Sequence, residues 1–225
     1  MKHLWKGIRI AAVVAGATGV ATATAGAQIS FSGNAFGCFY MAATAPTSCS
    51  GLLTTIPGST PGSGLSYTGS TFNVTSNPAD GLVSIGGAAG MPNINNLGSF
   101  TLMDGNHDYT GQKFALFLNF THPGGVVGNN LYTAMVTGNL SNASTGNVFI
   151  DFVNTPNSYT FADGTKLTFG VDNLSLDDHI DGSSTISVTG HGYANAATVP
   201  EPSSMALLGT GLIGLAPLVR RRRNT

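Results

Sequence analysis

Between Gln28 and Val199 the chain contains no glutamate, and no long run of apolar residues recurs there every three or four positions. An amphipathic helix needs both an apolar stripe at that period and residues that favour the helix. This stretch supplies neither. It is rich in Gly, Ser, Thr and Asn, with Val, Phe and Tyr set among them. Its apolar residues fall in short alternating or continuous runs bounded by turn residues, which is the pattern of strands. The expected fold class is all-β.

Strands are expected near Ile29–Phe31, Ser66–Thr75, Leu82–Ile85, Leu97–Met103, Gln112–Phe120, Leu131–Leu140, Asn147–Val153, Ser158–Phe161, Lys166–Val171 and Thr185–Thr189. Asp163-Gly164 suits a tight turn joining two of them into a hairpin. Many short strands at this spacing point to a β-sandwich, with a jelly roll among the arrangements that fit. In KFALFLNF and NVFIDFV the apolar residues are nearly continuous, so these strands are expected to be central and covered on both faces or by loops. Residues 41–64 and 86–96, rich in Gly, Pro and small polar residues, are expected to be surface loops. Residues 28–199 number 172, enough for one domain with a core and few for two.

Charged residues make up 8% of the chain, against about 25% in ordinary soluble proteins. The positive charges lie mostly at the two ends. Lys2, Lys6 and Arg9 precede an apolar stretch from Ile10 to Val20, followed by small residues ending in Ala25-Gly26-Ala27. This is the layout of a secretory signal peptide, cleaved after Ala27 to leave Gln28 as the new N-terminus. Between the ends only Lys113 and Lys166 are basic, against nine aspartates, a formal charge of 2 − 9 = −7. Without clustered Lys and Arg to neutralise phosphates, nucleic-acid binding is excluded.

At the C-terminus Ser203 to Val219 runs 17 residues without a charge. As a helix it would span about 26 Å, close to the hydrocarbon core of a bilayer. Arg220, Arg221, Arg222 and Arg223 would stay on the cytoplasmic side. Pro200-Glu201-Pro202 stands just before the apolar run, where two prolines hold the backbone extended. These three parts, in this order, resemble the PEP-CTERM sorting signal of Gram-negative bacteria. The resemblance covers residues 198–223 and implies recognition by an exosortase, with Pro200, Glu201 and Pro202 as recognition residues and Arg220 to Arg223 as the stop cluster. It also implies a membrane-anchored precursor, release or transfer beyond the inner membrane, and association with biofilm or exopolysaccharide. The expected organisation is a signal peptide at 1–27, an exported β-sandwich domain at 28–197, and a sorting signal with a single transmembrane helix at 198–225.

Cys38 and Cys49 are the only cysteines. In an exported protein they are expected to pair, pinning the start of the loop that follows. Closing about a dozen residues would stabilise the fold by roughly 3 kcal/mol on chain-entropy grounds.

Signals for chemistry are sparse. No G-x-S-x-G elbow is present, and the histidines are scattered. A glycoside hydrolase needs two carboxylates astride the bond. Asp104, Asp108, Asp151, Asp172, Asp177 and Asp178 are available, and no motif selects a pair. Asp104, Asn106 and Asp108 match the first three ligand positions of a calcium loop, but Tyr109 and Ala115 stand where that loop needs Gly and Glu. Asp177, Asp178 and Asp181 form a second acidic cluster that could hold Ca²⁺. Asp, Asn and Gly are also what polar turns require, so the leading reading of both clusters is a polar hairpin tip, with calcium as the alternative. Sugar sites use exposed aromatics among polar groups. Six tyrosines are available, and the only Trp lies in the signal peptide. Most of the tyrosines are expected to pack partly into the sandwich with the hydroxyl exposed.

The expected function is that of a non-enzymatic exported protein at the cell surface or in the extracellular matrix, structural or adhesive in role. A lectin-like module, with calcium as its one candidate cofactor, is the second reading, and a polysaccharide hydrolase the third. The expected partners are the general secretion machinery, the inner membrane transiently, exosortase and extracellular polysaccharide.

Overall fold

The computed structural model describes residues 28–58, 63–86, 95–103, 106–140, 146–153, 156–177 and 183–196. In chain order the strands are β1 (Ser30–Tyr40), β2 (Thr55–Pro57), β3 (Gly64–Thr68), β4 (Ser70–Thr75), β5 (Leu82–Ile85) and β6 (Ser99–Met103). Then follow β7 (His107–Asp108), β8 (Gln112–His122), β9 (Val127–Gly128), β10 (Leu131–Thr137), β11 (Asn139–Leu140) and β12 (Asn147–Phe152). The last are β13 (Asn157–Thr160), β14 (Lys166–Val171), β15 (Leu174–Asp177), β16 (Ser183–Ser187) and β17 (Gly190–Asn195). Among the described residues there is no helix, and every strand pairing is antiparallel.

The protein is a β-sandwich. One layer is a six-stranded sheet in the order β15-β12-β10-β8-β1-β4. The other is made of two adjoining sheets, β5-β17-β14-β13-β9 and β16-β6-β3-β2. Only Val188 and Thr189 separate β16 from β17, and the ladder to the neighbouring segment continues past Ser187. There Leu97 N–H donates to Val188 O, and Val188 N–H donates to Gly98 O. A short β11-β7 pair completes the pairing.

Alternation along each strand sends one set of side chains into a single core. From the six-stranded sheet come Phe31, Phe39, Phe72, Phe114, Phe120, Val136, Ile150 and Phe152; facing them are Leu65, Tyr67, Phe100, Tyr159, Leu167 and Phe169. Phe114 is the meeting point, in ring contact with Phe39, Tyr67, Phe100 and Phe152. On β1 the inward row is Phe31, Gly33, Ala35, Gly37, Phe39. A Cβ at Gly37 would run into the Phe114 ring, and one at Gly33 would meet Phe72 Cζ at 2.7 Å. The small residues of β1 therefore make room for the aromatics of its neighbours.

Several expectations hold. β14 spans Lys166–Val171, and the Asp163-Gly164 turn closes the β13-β14 hairpin, with Thr165 N–H donating to Asp163 Oδ1 at 2.8 Å and Gly164 at φ 84°. KFALFLNF lies in β8, between β10 and β1, and both its faces are buried. The expectation for NVFIDFV is corrected: β12 alternates between buried and exposed, and Phe149 and Asp151 face solvent. Residues 41–64 are not one loop, because β2 lies within them and Leu53 bridges to Phe39. The stretch Ser66–Thr75 divides at Gly69 into β3 and β4, which belong to different sheets. Of residues 86–96, the segment 87–94 lies outside the described residues.

Candidate functional site

On β17, Gly190, Gly192 and Ala194 point inward, so His191, Tyr193 and Asn195 point outward. On β14 the inward residues are Leu167, Phe169 and Val171, which leaves Lys166, Thr168 and Gly170 on the outer side. The antiparallel register sets Thr168 opposite Tyr193 and Gly170 opposite His191. A cleft of about 420 Å³ opens here. Asp172 and Asn173, just after β14, form part of its wall. Val153 and Pro156, on the way from β12 to β13, form another part, and Tyr132 and Phe152 of the six-stranded sheet also line it.

The polar groups of the cleft hold one another in place. Asp172 Oδ1 lies 2.9 Å from His191 Nδ1, and Asp172 Oδ2 accepts a hydrogen bond from Thr189 Oγ1 at 2.6 Å. The carboxylate thereby orients the imidazole and leaves Nε2 as the ring nitrogen for a ligand. Asn173 Oδ1 accepts from Phe152 N–H at 2.8 Å, which fixes that wall. Below, Tyr159 OH donates to Tyr132 OH at 3.0 Å, and Tyr132 OH donates to Phe169 O at 2.8 Å. Asn157 Nδ2 donates to Leu131 O at 2.9 Å. This buried set ties the two layers beneath the cleft. Burial raises the Tyr132 hydroxyl far above its ordinary range and pushes Tyr159 up to about 12, so both stay neutral donors.

Two glycines of the site have different reasons for being glycine. A Cβ on Gly192 would collide with the carbonyl oxygen of Thr168, so close strand packing demands Gly there. A Cβ on Gly170 would find nothing nearer than 3.9 Å. Its backbone is not in the left-handed region. Space and conformation would both accept a side chain at 170, and a large one would project into the cleft that Gly170 lines.

Tyr193 is 57% exposed. The other five tyrosines, Tyr40, Tyr67, Tyr109, Tyr132 and Tyr159, are buried. The expectation that their hydroxyls reach solvent is corrected for Tyr67 and Tyr132, whose hydroxyls donate within the protein to Leu97 O and Phe169 O. Cys38 and Cys49 form the expected disulfide. Asp108 lies on β7 and accepts from Thr110 N–H at 2.9 Å. Hydrogen bonds from the Thr110 side chain and backbone lower its pKa. The carboxylate thus serves the turn at Thr110-Gly111. Asp104 lies outside the described residues, while Asn106 directly precedes β7. Asp177 ends β15, and Asp178 and Asp181 lie outside the described residues. Among the described residues, no group of three or more His, Cys, Asp or Glu is placed to hold a metal ion.

Of the carboxylates considered for hydrolysis, Asp172 is the one among the described residues that lines the cleft. Asp151 faces outward on β12. Ala25, Ala27, Pro200, Glu201, Pro202 and Arg220 to Arg223 lie outside the described residues, as does the expected membrane helix. No helix among the described residues is long and apolar enough to cross a membrane.

Residues 198–223 match the family described as the PEP-CTERM protein-sorting motif. The tail thus marks an extracellular protein sorted by exosortase, exported and made as a membrane-anchored precursor directed to the cell surface. The match covers the tail and leaves the sandwich unassigned. No curated protein and no solved structure was found to match the chain.

Proposed function

We propose that this protein is a non-enzymatic component of the cell surface or extracellular polysaccharide matrix, with a structural or adhesive role. The observation that carries the proposal is the PEP-CTERM sorting motif at residues 198–223. The sandwich is consistent with that destination. It has a disulfide of the kind that persists outside the cytoplasm, little charge, and a core of interlocked aromatic rings. The cleft supports a binding role over hydrolysis, since among the described residues one carboxylate lines it where a glycosidase uses two.

The test is to follow the protein in its native host, beside a variant with Pro200, Glu201 and Pro202 replaced by Ala. The wild-type protein is expected in the matrix or surface fraction, with the variant held in the inner membrane. Equal accumulation of both in the inner membrane would overturn the proposal.

A further inference from the structure

We propose that the cleft beside Tyr193 binds a neutral glycan, with one sugar ring lying against Tyr193 over the space left by Gly170. This deepens the proposed matrix role and rests on it for the source of the glycan.

A pyranose has an apolar C–H face and a rim of hydroxyls. A site for it needs an exposed aromatic face beside oriented donors and acceptors. The cleft offers both. Tyr193 is the one tyrosine left exposed, and Val153 and Pro156 extend the apolar surface. Asp172 accepts hydrogen bonds and His191 Nε2 is available opposite them. A carboxylate has about four lone-pair sites, so Asp172 keeps acceptor capacity beyond its bonds to His191 and Thr189. The volume, about 420 Å³, lies within the roughly 300–1,000 Å³ usual for small-molecule sites. Gly170 supplies an independent indication. Its neighbour Gly192 is required by packing, whereas the missing side chain at 170 has no packing cause and leaves that part of the cleft open.

Charge selects among glycans. Among the described residues no Lys or Arg lines the cleft, and Asp172 is the one carboxylate there. The stretch from Gln28 to Val199 carries a formal charge of 2 − 9 = −7. A uronate or sulfate would meet repulsion with no partner, so the ligand is a neutral sugar chain.

The test uses the mature protein purified from its host and the variants Tyr193→Ala and Gly170→Leu. Each is titrated by calorimetry with cellohexaose, laminarihexaose, maltohexaose and mannohexaose, and with an alginate hexamer as the acidic control. Thermal unfolding is measured in parallel. The expected result is that at least one neutral hexasaccharide binds and alginate does not. Tyr193→Ala should weaken binding by about tenfold. Gly170→Leu should abolish binding while its unfolding temperature stays at the wild-type value. Binding of none of the neutral hexasaccharides, undiminished binding by both variants, or preference for alginate would each overturn the assignment. Matrix retention separates the two claims. A protein retained in the matrix that binds none of these sugars refutes the cleft assignment alone. One that binds them yet never reaches the matrix refutes the proposed function alone.

Discussion

The two layers of the sandwich treat parts of their outer faces in opposite ways. On the six-stranded sheet, Cys38, Tyr40, Ala115 and Phe117 point away from the main core and form a second small core, with Ala45, Cys49 and Leu131 packed against it. The segment after β1 folds back as its cover. It is held by the Cys38–Cys49 disulfide, by Lys113 Nζ donating to Ala42 O at 3.1 Å, and by Phe39 N–H donating to Leu53 O. On the five-stranded sheet the corresponding outward positions carry Thr168, Gly170, His191 and Tyr193, and a cleft stands open there. Closing an outer face takes large apolar side chains and a fastened cover. Leaving one open with an exposed ring and oriented polar groups makes a surface suited to a ligand.

Replacements at matched positions on the two faces can break this contrast. Phe117→Ala should have the largest effect. Phe117 is 3% exposed and stacks on Phe36 at 5.3 Å. Its loss should cost about 3–5 kcal/mol in denaturant unfolding, and a cost below 1 kcal/mol would mean the second core contributes little. Replacing both cysteines by Ser should cost about 3 kcal/mol and free the cover. The cleft should be unaffected, so sugar titrations of this variant would show whether the faces are independent.

The two glycines sharpen the contrast. Gly192→Ala should cost about 1–3 kcal/mol through the clash with Thr168. Gly170→Ala should stay within about 0.5 kcal/mol of wild type. Equal costs would remove the case that Gly170 serves the cleft. Alkali probes the buried tyrosine hydroxyls. Tyr67, Tyr132 and Tyr159 have pKa values raised by burial above the value of about 10 for an unfolded chain. The unfolded state therefore loses protons first, and the stability these groups confer is full below about pH 10 and declines above it. The tyrosinate absorbance of these three should appear together with unfolding. Smallest of all, Tyr193→Ala should leave stability within about 0.5 kcal/mol of wild type.

Much of the sandwich was legible in the sequence because alternation is a local signal. Lys166–Val171 and the Asp163-Gly164 hairpin could be read directly. Most of β1 could not: Gly33 and Gly37 look like breakers, and only their contact with Phe72 and Phe114 explains them. β17 was missed for a related reason, since its inward residues are Gly190, Gly192 and Ala194. The cleft had no motif to find. Asp172 and His191 meet through strand pairing, and the room beside Gly170 comes from a side chain that is absent. The sorting tail, by contrast, was readable because its parts are contiguous and in fixed order.

The central claim is that a disulfide-closed sandwich is exported and released from a sorting tail. Its most direct test is the intact mass of the mature protein from its host, reduced and unreduced. The account predicts a chain that begins at Gln28, ends near Pro200-Glu201-Pro202 and gains the mass of two hydrogens on reduction. A mass that still includes the apolar run and Arg220 to Arg223 would contradict it, and the protein would instead be a membrane-anchored domain facing the periplasm.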